Sequence, residues 1–240
     1  MTSTVQGVID DGYLLSLEYQ RRLAELVGEG TAYDAARGGR YDVDLAAGTI
    51  TFSNPGSPTA PLTMRAHFLG AAAPGPGTWL WGWENVNGLP DDVIAYARHV
   101  RDFGTRAGLA ELMTAQLPLA DSPRMEAVTY ATIAGTICGG MTHYSLDAGR
   151  GTVVALLLDS PALALGVPSA ARAAALLPDA ASAEVIEDWR RAVRCYGQMR
   201  NFAVAEDATT TTLTAPDGTA VATFDPQARI TRVEATLTRP

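Results

Sequence analysis

The sequence contains no lysine, so all 18 of its basic residues are arginine. Without a lysine amine the chain cannot form a Schiff base or anchor pyridoxal phosphate. A Walker phosphate-binding loop needs Gly-Lys-Ser/Thr and is excluded for the same reason. Because lysine codons are rich in adenine, the bias toward Ala, Gly, Pro, Thr and Arg predicts a bacterial source with a high-GC genome.

Positive charge is also scarce. The chain has 18 basic and 26 acidic residues, which gives a formal net charge of −8. Nucleic-acid binding requires a basic face that displaces counterions, and anionic membranes attract basic segments. We therefore expect no nucleic-acid partner and no membrane partner. An acidic surface of this kind suits a basic protein partner instead.

Cysteine is rare as well, and Cys138 and Cys195 lie far apart without forming a Cys-x-x-Cys pair. The first eight residues have neither the basic nor the apolar part of a secretion signal. The longest apolar run, residues 153–158, is too short to span a bilayer. These features predict a cytoplasmic protein with both thiols reduced.

The hydrophobic pattern predicts helices separated by hairpins. Segments with helical periodicity and capping residues occupy residues 10–36, 91–108, 122–138 and 182–200. Alternating segments bounded by turn residues occupy 41–45, 49–52, 62–69, 78–85, 141–146, 152–158, 209–214, 219–224 and 230–237. This order favours an α+β fold, with antiparallel sheets built from hairpins and helices packed on one face. We expect one unit over 1–240; the alternative is a subdivision near 160–180, with a helix and a three-stranded meander at 182–240.

The most distinctive segment, residues 78–85, reads Thr-Trp-Leu-Trp-Gly-Trp-Glu-Asn. On a strand, Trp79, Trp81, Trp83 and Asn85 would share one face. Three indoles offer a broad apolar surface with N–H donors, which suits a planar or sugar-like ligand that Asn85 would orient. The alternative is that these tryptophans are core residues.

Candidates for acid–base chemistry are His143, oriented by Asp147, and Glu84 on the opposite face from the tryptophans. Tyr144 would join His143 at the tryptophan-lined pocket, since both precede a glycine-rich turn. The alternatives are a strand histidine without a role and a solvated surface glutamate. The three histidines lack metal-ligand spacing and no nucleophile motif is present, so we expect no metal and no cofactor.

The tryptophan segment resembles the T-W-L-W-x-W-x-N signature of a bacterial domain-of-unknown-function family. Further similar segments lie at residues 41–52, 68–70, 109–112 and 187–192. Trp189 stands where family members tend to have histidine, and Glu84 where they often have alanine. The similar segments are spread over residues 10–235, and the resemblance implies no activity.

Three functions are compatible with these residues. The favoured one is binding of a small planar or sugar-like molecule in a tryptophan-lined pocket, with acid–base catalysis left open. The second is a protein-interaction module, such as an immunity or adaptor protein, whose acidic surface meets a basic partner. The third is a domain in which the tryptophans are purely structural.

Overall fold

The computed structural model describes residues 4–182 and 185–238. The chain divides into two compact units, one formed by Tyr19–Ala164 and the other by Thr4–Glu18 with the described part of Leu165–Pro240. Helix α1, Val5–Val27, contributes its first part to the second unit and its last part to the first. The expectation of one unit over 1–240, with a subdivision as its alternative, stays a prediction.

The first unit contains a seven-stranded antiparallel sheet. Its strands are β1 Arg40–Asp44, β2 Thr49–Ser53, β3 Leu62–Ala73, β4 Thr78–Trp81, β5 Gln116–Pro118, β6 Thr142–Asp147 and β7 Val153–Asp159. Pairing runs in the order β1-β2-β3-β4-β5, and β7 pairs with both β3 and β6. The long strand β3 therefore has β2 and β4 as partners at its two ends and β7 along its length. Strands β1 and β6 each pair with one strand and so form edges of the sheet.

Helices cover both faces of this sheet. On one face Leu23 of α1 joins a core cluster with Phe52, Met64 and Leu156. Side chains alternate across a strand, so the neighbouring Leu157 points to the other face. Helix α4, Pro123–Ile137, packs there against β3, β6 and β7. Helices α2, Ala95–Ala107, and α3, Ala110–Met113, complete the unit.

The second unit combines a four-stranded antiparallel sheet with two helices. The strands are β8 Ala203–Glu206, β9 Thr210–Ala215, β10 Gly218–Phe224 and β11 Ile230–Leu237, and the helices are α5 Ala170–Ala181 and α6 Trp189–Met199. Burial alternates along β10, so one face of the sheet is covered. In its interior the Arg200 guanidinium donates to the Glu18 carboxylate at 2.8 Å, and the Tyr196 hydroxyl donates to the same group at 2.9 Å.

The structure confirms the α+β class and the antiparallel, hairpin-built sheets. In the first unit, helices pack on both faces of the sheet rather than on one as expected, because α1 and α4 contact opposite faces. Several element boundaries differ from the sequence-based ones. The first helix begins at Val5 and ends at Val27 rather than spanning 10–36, and a short 3-10 turn follows at Ala35–Arg37. Helix α5 lies in a stretch that the pattern had not identified as helical, and Ser182 ends that helix instead of starting the next. No helix within the described ranges is both long and apolar enough to cross a membrane.

Candidate functional site

The first two tryptophans of the distinctive segment are core residues. Trp79 and Trp81 are both 0% exposed. Their rings pack on Tyr130 of α4, with centroid distances of 4.9 and 5.1 Å. The Trp81 indole donates to the Glu111 carbonyl at 3.0 Å. The cavity beside Trp81 has a volume of ≈ 50 Å³, too small for a planar or sugar-like ligand.

The sequence predicted that Trp79, Trp81, Trp83 and Asn85 share one strand face, and this prediction is wrong for Trp83 and Asn85. Strand β4 ends at Trp81, and Gly82–Glu84 forms a 3-10 turn. Trp83 is half-buried beneath the guanidinium of Arg101, which lies 5.5 Å from the ring centroid. A side chain at Gly82 would meet the Phe68 ring at 2.7 Å, so the chain turns where a glycine allows close packing.

Asn85 lines the small cavity beside Trp81, and Glu84 does not. Asn85 adopts a left-handed backbone conformation with φ of 52°. The Asn85 side chain binds the backbone of Leu89 twice. Its Oδ1 accepts from the Leu89 N–H at 2.8 Å, and its Nδ2 donates to the Leu89 carbonyl at 3.0 Å. Glu84 is exposed, as the solvated alternative predicted. Asn85 therefore organises a loop, and the cavity that it shares with Trp81 is too small to be the expected ligand pocket.

A larger cavity lies elsewhere in the first unit, with a volume of ≈ 460 Å³. We call it the edge cavity because it is lined by the edge strands β1 and β6, together with Phe52, the last turns of α1, the residues that follow α1 and the beginning of α4. This volume falls within the range of small-molecule sites. His143 and Tyr144, two residues that the sequence had selected, line it.

Aromatic rings from both edge strands meet at this cavity. The Tyr41 ring of β1 and the Tyr144 ring of β6 are in edge contact with centroids 5.4 Å apart. Phe52 of β2 contacts Tyr144 in the same manner at 5.6 Å. Tyr41 is 43% exposed, so this aromatic surface is open to solvent where the tryptophans are not. The sheet curls enough to bring its β1 and β6 edges together, and that curvature creates the cavity.

His143 occupies the most buried polar position of the edge cavity. It is 8% exposed, and its carbonyl accepts from the Gln20 side chain at 3.0 Å. Its imidazole makes no hydrogen bond to any residue that the structure describes. Burial lowers the pKa of His143 to about 4, since desolvation disfavours the charged ring. At neutral pH the imidazole is therefore uncharged, with one donor and one acceptor nitrogen.

The expected pairing of His143 with Asp147 is wrong. The two residues are four positions apart on β6, which is about 13 Å along a strand. The exposed Asp147 carboxylate accepts from the Gly149 backbone N–H at 2.6 Å and so shapes the turn between β6 and β7. Sequence spacing placed the two side chains on one face but could not bring them within hydrogen-bonding distance.

Several polar residues of the cavity were missed from the sequence, among them Ser145, Arg40 and Arg124. The Ser145 hydroxyl is buried and has no hydrogen-bond partner among the described residues. Arg40 and Arg124 are exposed residues of the cavity lining. No local motif marked them, because Arg40 opens β1 and Arg124 lies in the first turn of α4, far apart in sequence. Among the described residues no group of three or more His, Cys, Asp or Glu side chains could hold a metal ion.

The comparison with protein families gives the affiliation of the chain. A model of a family of unknown function, DUF6882, matches residues 6–161. The chain belongs to this family. The DUF6882 match includes the tryptophan segment and every described residue of the edge cavity, whereas residues 187–192 lie outside it. No curated protein and no solved structure matches the chain.

Proposed function

We propose that this DUF6882 protein binds a small planar or sugar-like molecule in the edge cavity. The observation that carries the proposal is a cavity of ≈ 460 Å³ whose lining includes the exposed ring of Tyr41, the ring of Tyr144 and the buried residue His143. The neutral imidazole of His143 offers a ligand one donor or one acceptor nitrogen.

The aromatic surface determines the shape of the proposed ligand. Tyr41, Phe52 and Tyr144 line the cavity, and the Tyr144 ring is in edge contact with both of the others. Such rings favour flat molecules and the apolar faces of sugars, with offset or edge-on contacts. The tyrosine hydroxyls add polar groups that orient the ligand.

The role of His143 in this proposal is binding rather than proton transfer. An effective general base has a pKa near the working pH, and the pKa of His143 is lowered to about 4. Its neutral ring would accept or donate one hydrogen bond to the ligand. We place this binding activity in the cytoplasm, which suits the free thiols of Cys138 and Cys195.

The test uses a side chain that fills the cavity entrance. Ala24 is an exposed α1 residue that lines the edge cavity, so Ala24→Trp should block it without disturbing the core. Ala95 is exposed at the start of α2 and is not a lining residue, so Ala95→Trp is the matched control. We expect saturation-transfer NMR to detect 2-naphthamide or methyl β-glucoside on the unmodified protein and on Ala95→Trp, but not on Ala24→Trp.

Two results would contradict the proposal. One is failure of both probes to bind the unmodified protein at millimolar concentration. The other is equal binding to Ala24→Trp and Ala95→Trp, which would place the probes at another site. Circular dichroism of both variants establishes that each is folded.

A further inference from the structure

The charge of the edge cavity is opposite to that of the whole chain. Its 16 lining residues include the cations Arg40 and Arg124 and no aspartate or glutamate. In the whole sequence acidic residues outnumber basic ones by 26 to 18. A local surplus of positive charge on an acidic protein attracts and retains anions.

These two arginines also differ from most others in the chain. Ten arginines within the described ranges form ion pairs with carboxylates, including Arg65 with Asp92 and Arg98 with Asp91. The guanidinium groups of Arg40 and Arg124 form neither an ion pair nor a hydrogen bond with any residue that the structure describes. Their guanidinium forks are free to bind a carboxylate or phosphate with two parallel hydrogen bonds.

Arg124 is positioned beside the aromatic surface. Its positive charge acts on the Tyr144 hydroxyl and partly offsets the burial that raises the pKa of this phenol. The lining of the same cavity also includes the buried residue His143 and Ser145, whose buried hydroxyl has no partner among the described residues. The cavity lining thus combines two cations, aromatic rings and neutral hydrogen-bonding groups.

We infer that the ligand of the edge cavity is an anion: a flat ring system whose carboxylate or phosphate lies against Arg40 and Arg124. This inference rests on the proposed function and adds the charge of the ligand. The ring would contact Tyr41 and Tyr144.

The test compares probes that share one ring and differ in charge. These are 2-naphthoate, 2-naphthyl phosphate and the neutral 2-naphthamide, titrated by calorimetry. We expect both anions to bind about tenfold more tightly than the amide, because solvent-exposed arginines supply modest, screened attraction. Raising the salt concentration should weaken the binding of both anions and leave the binding of the amide unchanged.

Charge-removing variants assign the preference to the two arginines. Arg40→Gln and Arg124→Gln should each weaken anion binding roughly threefold while leaving amide binding unchanged. Arg106 is exposed on α2 and does not line the edge cavity, so Arg106→Gln is the control. It should change neither anion binding nor amide binding. Whichever anion binds more tightly identifies the carboxylate or the phosphate as the preferred group.

Each other outcome has a definite meaning. Equal affinity for the amide and both anions overturns the inference about charge while the proposed binding function stands. An anion preference that survives both arginine substitutions also overturns it, because the charge would then be recognised elsewhere. Absence of binding by all three probes overturns the inference, and it overturns the proposed function as well only if methyl β-glucoside also fails to bind.

Discussion

Two aromatic clusters of the first unit differ in what covers them. The core cluster consists of Trp79, Trp81 and Tyr130, and α4 seals it from solvent. The edge cluster consists of Tyr41, Phe52 and Tyr144 and adjoins the open cavity. Both clusters bring rings from strands into edge or stacked contact, so ring chemistry alone does not separate them.

The difference lies in the position of each cluster within the sheet. Trp79 pairs with residues on both β3 and β5, so its strand has neighbours on either side. Tyr41 and Tyr144 belong to strands that each pair with a single neighbour. An edge strand leaves backbone groups and one flank of its side chains uncovered. Aromatic residues at such an edge remain accessible to a ligand, whereas those inside the sheet become core.

The largest expected effect comes from truncating the core cluster. Trp81→Ala should lower the free energy of unfolding by about 3–5 kcal/mol, because it leaves a large cavity under α4. Trp83→Ala should cost less, since Trp83 is only half-buried. Urea denaturation of both variants measures the difference. Equal losses for the two variants would show that burial does not separate the tryptophans in the way described.

A second effect concerns acid stability and the buried histidine of the edge cavity. The pKa of His143 falls from an ordinary value of 6.5 to about 4 in the folded protein. Between these values the unfolded chain binds a proton that the folded chain does not. Stability is therefore full above pH 6.5 and declines as the pH falls toward 4, by up to about 3 kcal/mol.

The variant His143→Phe isolates this contribution. Its denaturation free energy should change less between pH 7 and pH 4 than that of the unmodified protein. Burial also lowers the pKa of His67, so some acid sensitivity of the same sign should remain. The exposed His99 provides the control, because His99→Phe should leave the pH dependence as it was. An identical pH profile for His143→Phe and the unmodified protein would contradict the burial argument.

The smallest expected stability effect comes from the edge cluster. Tyr144→Ala should cost about 1–2 kcal/mol, since the ring is half-buried and open to the cavity. The same change should weaken 2-naphthamide binding at least about tenfold, because it removes the ring that contacts both Tyr41 and Phe52. If Tyr144→Ala were as unstable as Trp81→Ala and still bound 2-naphthamide normally, the edge cluster would be part of the core rather than a binding surface.

Local sequence patterns predicted those parts of the fold that short segments control. The Ser122-Pro123 start of α4 is confirmed, with the Ser122 hydroxyl accepting from the Met125 N–H at 3.4 Å. The hairpin of β1 and β2 is confirmed with Tyr41 opposite Phe52. Strand β4 was predicted too long, because a period-two pattern continued through Trp83 although the chain turns at Gly82.

The candidate site was only partly predictable. His143 and Tyr144 were selected for their position before a turn, and they do line the edge cavity. Asp147 was selected for spacing alone and instead binds the backbone of that turn. Arg40 and Arg124 could not be found, because nothing in their neighbourhoods shows that β1 and α4 reach the same cavity.

The sequence by itself determined the α+β class, the antiparallel hairpins, the acidic net charge and the exclusion of lysine chemistry. These follow from composition and from interactions between residues close in the chain. The tertiary structure alone decided which aromatic residues are covered and which face a cavity. That outcome depends on the curvature of a sheet whose β1 and β6 edges lie about 100 residues apart in sequence and meet at Tyr41 and Tyr144.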